Sequence, residues 1–356
     1  MARCLAIMLG ISNMALKNFS HSSIDTYLKC SELFRLKYID PDVPKMDAAS
    51  PEIVAGRVIH SALEQYLKLP ANERPATMDG ILDDIWNDVL REQGFGHLHE
   101  KLKDLSRMRA GIIARAQPEY KGADAIRNKD GGATKAYRKT RAWKEALAAS
   151  GYQNMADGIN QWASAHGKHD TWAWTPLVET FAHSWAIGGG YTFPSVVGEI
   201  VAIEKSFRVN LPTHRPEKLT VILDFVYRTH DGKLVVHDHK INKAAPSLLD
   251  VRHHSQLLTY GWGWGEEFGD FPDYIAVGHI PSKTITMAPF DLGLGIEAVE
   301  RKEAAIKGIK AEVYIKRSPT DYNSPCYNEF RDYVCPFIAV CHPQWHEDFQ
   351  KANGSA

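Results

Sequence analysis

The sequence predicts an α/β fold in which a mixed β-sheet is flanked by helices and follows a helical N-terminal insertion. In the second half of the chain, runs rich in β-branched and aromatic residues alternate with polar residues, which is typical of strands. In the first half, apolar residues recur at helical spacing. The chain has 356 residues, of which 44% are hydrophobic and 24% charged. This composition is that of a globular protein with one large or two modest domains.

The individual elements follow from these patterns and from turn signals. Serine as an N-cap and apolar residues at helical spacing predict a first helix. The predicted helices are 22–38, 53–69, 81–93, further helices within 106–174, then 248–268 and 295–311. The glycine run 188–190 separates the two halves. The predicted strands are 198–210, 218–228, 234–241, 274–280 and 284–288.

Residues 101–144 form a basic segment, with 13 Lys and Arg against 4 Asp and Glu in a chain whose net charge is −1. Such a segment is typical of a surface that binds a phosphate backbone. Its Gly-rich and weakly periodic sequence is equally typical of a solvated helical face with a loop. The sequence leaves both interpretations open.

The same patterns divide the chain into four regions. These are an irregular N-terminus (1–20, with Met14 as an alternative start), a helical region (21–190), a sheet region (191–312) and a C-terminal cysteine segment (313–356). No apolar run approaches the ~20 residues that span a bilayer. No small-residue cleavage site follows the first apolar run. We therefore expect a cytoplasmic protein, from a bacterium or a virus-infected cell, without a membrane partner.

Three charged side chains interrupt two strands that a His-Asp-Gly turn joins into a hairpin. Asp224 lies within the apolar run Val-Ile-Leu-Asp-Phe-Val, and Asp238 follows Leu-Val-Val-His on the second strand. Asp238 and Lys240 project to one face because side chains alternate along a strand. A buried carboxylate is costly unless it binds a metal or pairs. The hairpin therefore predicts a divalent cation beside a lysine, as in metal-assisted phosphodiester hydrolysis; a solvated surface ion pair is the alternative.

The order of the motifs resembles the PD-(D/E)xK nuclease superfamily, and within it the RecB-like branch with its Gln-x3-Tyr motif. The motifs that carry the resemblance are, in chain order, Gly56-x3-His60, Asp224, Asp238-His239-Lys240 and Gln256-x3-Tyr260. They span most of the chain. One departure is visible, because Val221-Ile-Leu precedes Asp224 where the family often has a small residue. The resemblance implies a restriction-endonuclease-like fold.

The resemblance also implies a role for each motif. The implied ligands of Mg²⁺ or Mn²⁺ are His60, Asp224, Asp238 and the carbonyl of His239. Lys240 would position the attacking water and stabilise charge on the phosphorus. Gln256 and Tyr260, one helical turn apart, would lie at the active site and the DNA backbone, although core packing is the simpler interpretation. Glu204 resembles an acidic helper position or is an exposed strand residue.

Five cysteines give an independent prediction. The odd number argues against a disulfide framework. Cys326, Cys335 and Cys341 crowd near the C-terminus, and Cys30 lies far upstream. Four such thiols resemble the set that binds a [4Fe–4S] cluster in the iron–sulfur subgroup of RecB-like nucleases, except that Cys326 and Cys335 are further apart than usual. Zinc and unliganded buried thiols are the alternatives.

These features predict a metal-dependent deoxyribonuclease, most simply an exonuclease, in recombination, repair, CRISPR adaptation or phage DNA processing. No Gly-x4-Gly-Lys-Ser/Thr loop is present, so unwinding would need a helicase or another partner protein. Two alternatives stay open. The chain could be a catalytically inactive DNA-binding module on a nuclease scaffold, or an endonuclease.

Overall fold

A computed structural model describes residues 19–43, 51–92, 96, 99–104, 191, 193–213, 217–241, 245–320, 326–328, 333–335 and 337–352. The helices are α1 (His21–Lys29), α2 (Ser31–Phe34), α3 (Pro51–Lys68), α4 (Asp79–Glu92), α5 (Leu248–Arg252), α6 (Ser255–Phe268), α7 (Leu292–Lys310), α8 (Ile338–Cys341) and α9 (Pro343–Ala352). The strands are β1 (Phe19–Ser20), β2 (Val197–Asn210), β3 (Lys218–Thr229), β4 (Leu234–Lys240), β5 (Tyr274–His279), β6 (Thr284–Pro289), β7 (Tyr327–Asn328) and β8 (Tyr333–Val334).

The main sheet is assembled around β3. Strand β2 is antiparallel to it, β4 forms an antiparallel hairpin with its second half, and β1 runs parallel to its first residues. Strand β4 also pairs with β5 in the parallel orientation, and β6 pairs with β5 in the antiparallel orientation. Gly232 occupies the β3–β4 turn at φ 82°, a left-handed conformation that favours glycine. This six-stranded mixed sheet with flanking helices confirms the predicted fold class.

Two apolar cores lie on opposite faces of the sheet. Helices α3 and α4 cover one face, where Leu63 and Trp86 pack with Phe225 of β3. Helices α1, α6 and α7 cover the other face, where Leu257 and Val299 are fully buried. The candidate site forms between these two helical layers, where β3 and β4 end their pairing.

The prediction of one helix over residues 22–38 was wrong. Cys30 is extended, at φ −157° and ψ 108°, so α1 ends there and α2 begins with the next residue. The Cys30 Sγ accepts a hydrogen bond from the N–H of Leu33 over 3.4 Å and thereby caps α2. A π-helical turn, Arg35–Ile39, completes the segment. This hydrogen bond to the Cys30 side chain begins a new helix at Ser31, so α1 does not continue through Cys30.

The prediction of one helix over residues 248–268 was also wrong. The segment divides into α5 and α6 at His253 and His254. The Ser247 and Asp250 side chains form a capping box for α5, and the His254 ring accepts from the N–H of Leu257 to cap α6. Apolar periodicity continues through both helices, so it could not reveal the break.

Several sequence predictions lie outside the described residues. They are the N-terminus to residue 18, the helices predicted within 106–174, the glycine run 188–190 and the part of the basic segment beyond residue 104. Among the helices that the structure does describe, none has the length and apolar character needed to cross a bilayer.

Candidate metal and catalytic centre

Asp224 lies where β3 and β4 separate. The hairpin pairs Phe225 with His237, and beyond that pair the register of β4 continues with β5. The main-chain N–H of His239 donates to Asp224 Oδ2 over 2.8 Å. A buried N–H needs an acceptor, so this bond holds the carboxylate of Asp224 beside the end of β4.

Glu204 lies across the β2–β3 pairing from Asp224, between the pairs Ile203–Phe225 and Lys205–Leu223. Its φ is 45°, a left-handed conformation that costs a residue with a Cβ about 1–2 kcal/mol. At this position the side chains of β3 switch faces of the sheet. Leu223 packs against the α6–α7 layer, whereas Phe225, two residues later, packs against the α3–α4 layer. Strained backbone of this kind is concentrated at functional sites.

Helix α3 brings a histidine to these two carboxylates. The helix passes close to β4, since a Cβ added at Gly56 would lie 3.6 Å from Cδ1 of Ile241. One turn later, His60 Nδ1 lies 3.5 Å from Asp224 Oδ2. Ligand atoms of His60, Glu204 and Asp224 lie within 4.8 Å of one another, and in the described part of the chain this is the set of three that could hold a metal ion. An imidazole among carboxylates suits Mn²⁺ better than a site made only of oxygen ligands would.

The carboxylates of this centre resist ionisation. Burial, followed by repulsion from Asp238, raises the pKa of Asp224 to about 6, although His60 and the His239 N–H act in the opposite direction. Burial, followed by repulsion from Asp224 and Glu64, raises the pKa of Glu204 to about 7. A bound cation would reverse both effects, because it favours the ionised form. The electrostatics are therefore those of a cation site.

A second group of side chains adjoins the first through Asp238. The Lys240 ammonium lies 2.7 Å from Asp238 Oδ2 and donates to Gln256 Oε1 over 3.0 Å. The Gln256 amide donates to Asp238 Oδ1 over 3.1 Å and to the Tyr260 hydroxyl over 3.0 Å. Lys240 has three N–H donors, so one is left for a water or a substrate oxygen. Burial of Tyr260 raises its pKa, which keeps the phenol protonated.

The structure thus places the residues singled out in the sequence in two adjoining groups, and their catalytic roles stay predictions. His60 and Asp224 form the compact metal-binding set, whereas both oxygens of Asp238 are engaged by Lys240 and Gln256. The His239 ring points to the opposite face, where it stacks on Phe225 at 6.0 Å between centroids. Its main-chain N–H donates to Asp224, and the centroid of its ring lies 6.5 Å from that of the His60 ring.

Glu204 was the residue that sequence reasoning undervalued. It completes the compact set, yet its local sequence Ile-Val-Ala-Ile-Glu-Lys resembles an ordinary half-buried strand. Its only sequence signal is an acidic residue within an apolar strand, which is weak evidence by itself.

The three C-terminal cysteines of the predicted cluster lie close together. Cys326 and Cys335 belong to one small apolar core with Cys341 beside it, and the Cys335 N–H donates to the Cys326 carbonyl over 2.7 Å. Burial, then repulsion from Glu32, Cys335 and Cys30, raises the pKa of the Cys341 thiol to about 11, which indicates that Cys30 lies close by. Four neighbouring thiols are chemically suited to iron–sulfur or zinc ligation.

A mixed sheet whose hairpin opens around two aspartates and a lysine is consistent with a nuclease. The chain belongs to the PD-(D/E)XK nuclease superfamily, whose family model matches residues 18–342. Membership indicates nuclease activity on a nucleic acid substrate, generally with divalent metal ions. No curated protein is a significant match to the chain.

Proposed function

We propose that the protein is a metal-dependent deoxyribonuclease of the RecB-like branch that degrades DNA from an end. The observation that carries the proposal is the network that links Gln256 and Tyr260 to Asp238 and Lys240. It supports a shared site for the Gln-x3-Tyr motif and the Asp-x-Lys motif, and that combination is what resembles the RecB-like branch.

His60, Glu204 and Asp224 would hold the metal ion, and Asp238 and the His239 carbonyl would lie next to it. When bound, Mg²⁺ or Mn²⁺ would activate a water and neutralise charge on the phosphate oxygens. The chain's own contribution is positional. The His239 N–H and His60 fix the Asp224 carboxylate on one side.

Lys240 is held for its task by two partners. Asp238 forms an ion pair with the ammonium over 2.7 Å, and Gln256 fixes the direction of the ammonium. The remaining N–H can orient the attacking water or bind a non-bridging phosphate oxygen, where it stabilises charge that develops during the reaction. The Gln256 amide, which also donates to Asp238, prevents the carboxylate from rotating away.

The cysteines would hold a [4Fe–4S] cluster that fastens the C-terminal segment to Cys30. The same four thiols could instead hold zinc in a closed tetrahedral site, and the cluster test below distinguishes the two. The cluster would be structural, because it would join ligands far apart in sequence.

The activity test uses end-labelled single- and double-stranded DNA with Mg²⁺, Mn²⁺ or chelator. Wild type, Lys240→Ala and the control Lys233→Ala, a half-exposed lysine in an ion pair with Asp273, are compared. We expect metal-dependent shortening from one end that only Lys240→Ala abolishes. Early internal cuts would instead show an endonuclease. DNA binding without cleavage in either metal would overturn the proposal in favour of a binding module.

The cluster test uses the same protein purified without oxygen. We expect a brown solution with absorption near ~400 nm, lost in Cys326→Ser and kept in Cys4→Ser, because Cys4 is not among the proposed ligands. A colourless wild-type protein with stoichiometric zinc would contradict the iron–sulfur proposal and leave the nuclease proposal unaffected.

A further inference from the structure

Lys302 of α7 is a buried cation that the proposed reaction does not use. It is 1% exposed, and its ammonium donates to Ser255 Oγ over 3.0 Å. Among the described residues, no carboxylate lies within ion-pair distance of it; Asp25, which acts on it from further away, is paired with Lys29. Burial lowers the pKa of Lys302 to about 8, so the group is still charged at neutral pH. A buried charge without a counter-ion is costly, so its presence needs a reason.

Ser255 connects the buried ammonium of Lys302 to the protein surface. It is exposed and is the first residue of α6. Because its oxygen accepts from Lys302, its hydroxyl proton is available to a ligand. The first N–H groups of a helix have no partner within it and lie at the positive end of the helix dipole. The exposed start of α6 therefore presents several donors backed by a positive charge.

His254 directly precedes Ser255, and the group proposed for catalysis adjoins it. His254 caps α6, and among the described residues the Nδ1 of the partly buried His21 has no hydrogen-bond partner. The His21 ring lies 6.2 Å from the Tyr260 ring. The residue after Ser255 is Gln256, which bonds both Asp238 and Lys240. The donors of Ser255 thus lie one residue away from the network proposed for catalysis.

We infer that Ser255, backed by Lys302 and preceded by His254, binds a phosphate of the DNA strand next to the one that is hydrolysed. The inference rests on the proposed nuclease function and adds a binding subsite to it. A phosphate offers anionic oxygens to the hydroxyl and to the helix N–H groups and supplies the counter-charge that Lys302 lacks. The ligand is either an internal backbone phosphate or a terminal one.

The test compares Lys302→Met and Ser255→Ala with wild type and with Lys307→Met, which removes an exposed lysine from the same helix. Binding of a fluorescent single-stranded oligonucleotide is followed by anisotropy in chelator, so no cleavage is needed. We expect Lys302→Met and Ser255→Ala to weaken binding by about 10- to 100-fold, the worth of a hydrogen bond to a charged group. The salt dependence of Lys302→Met should fall by about 0.7 in log–log slope, the value of one neutralised phosphate on a single strand, whereas Ser255→Ala removes no charge and should keep the wild-type slope.

The same oligonucleotide with a neutral methylphosphonate at successive positions locates the phosphate. We expect one position at which the neutral group weakens wild type but not Lys302→Met. If that position is always the strand end, and removing a terminal phosphate has the same effect, the subsite recognises ends; otherwise it binds an internal phosphate. Ser255→Ala changes no buried side chain, so its agreement with Lys302→Met would exclude a folding defect.

The inference is overturned if Lys302→Met, Ser255→Ala and Lys307→Met share the affinity and salt slope of wild type. That result would leave metal-dependent cleavage by wild type intact, so the nuclease proposal would stand. Conversely, Lys302-dependent binding by a protein that cleaves in neither metal would support the phosphate subsite and remove the nuclease proposal.

Discussion

The raised pKa of Asp224 predicts that the metal-free protein is destabilised by its own candidate centre. The folded protein holds the Asp224 proton more tightly than the unfolded chain does, because burial and Asp238 disfavour the carboxylate. Ionisation of Asp224 therefore opposes folding. The stability that the protonated carboxyl contributes is lost as the pH rises from about 4 to about 6. Replacement of Asp224 by Asn removes the charge and keeps an oxygen that can accept from the His239 N–H.

The magnitude follows from the shift. Each pKa unit corresponds to about 1.4 kcal/mol, and the pKa of Asp224 rises from 3.8 to about 6. In chelator at about pH 8, Asp224→Asn should therefore be about 3 kcal/mol more stable than wild type. At about pH 4 the difference should vanish, because the carboxyl is then protonated in the folded protein. Ionisation of Glu204 also opposes folding, and because its pKa is raised to about 7, its contribution to stability is lost as the pH rises to about 7.

Urea denaturation in chelator between about pH 4 and about pH 8 measures this difference. Asp270→Asn is the matched control, because that aspartate is largely exposed and its substitution should leave the pH profile parallel to wild type. Added Mn²⁺ should stabilise wild type and not Asp224→Asn, since the ion binds the ionised form. A wild type that is as stable as Asp224→Asn, or more so, in chelator at about pH 8 would refute the electrostatic argument.

Three further predictions concern neighbouring residues. Glu204→Gly should be about 1 kcal/mol more stable than Glu204→Ala, against the usual order in strands, because only glycine is unstrained at this φ of 45°; the reverse order in urea denaturation would show that the backbone relaxes. His237→Phe should raise the free energy of unfolding by about 1–2 kcal/mol, because both ring nitrogens are buried and have no hydrogen-bond partner in the described part of the chain; a loss of stability would contradict this argument. Gln256→Leu should lower kcat by about 10- to 100-fold with little change in KM, because Lys240 and Asp238 lose the amide that orients them; unchanged kcat in the DNA assay would assign Gln256 to packing alone.

Local rules account for what the sequence could predict about the fold and the centre. Alternation along β4 placed Asp238 and Lys240 on one face, and helical spacing placed Gln256 one turn before Tyr260. Both relations depend only on neighbours along the chain, so they persist in the folded protein and are visible in the bonds of the network. The strands and the mixed sheet were predictable for the same reason.

Tertiary contacts decided the features that the sequence could not reveal. The helix breaks at Cys30 and at His254 depend on side chains that accept main-chain N–H groups, which apolar periodicity does not register. Glu204 meets Asp224 through the pairing of two strands and a single left-handed residue. Lys302 is typical of a solvated helix in sequence, yet the packing of α7 against α6 buries it.

The sequence by itself therefore determined which chemical groups the chain carries and the face of each element on which they lie, because both follow from short-range geometry. The tertiary structure alone decided which carboxylates share a site, which of them resist ionisation and which lysine is buried without a counter-ion among the described residues. Those properties depend on burial and on distances between residues remote in sequence, and neither is encoded in local spacing.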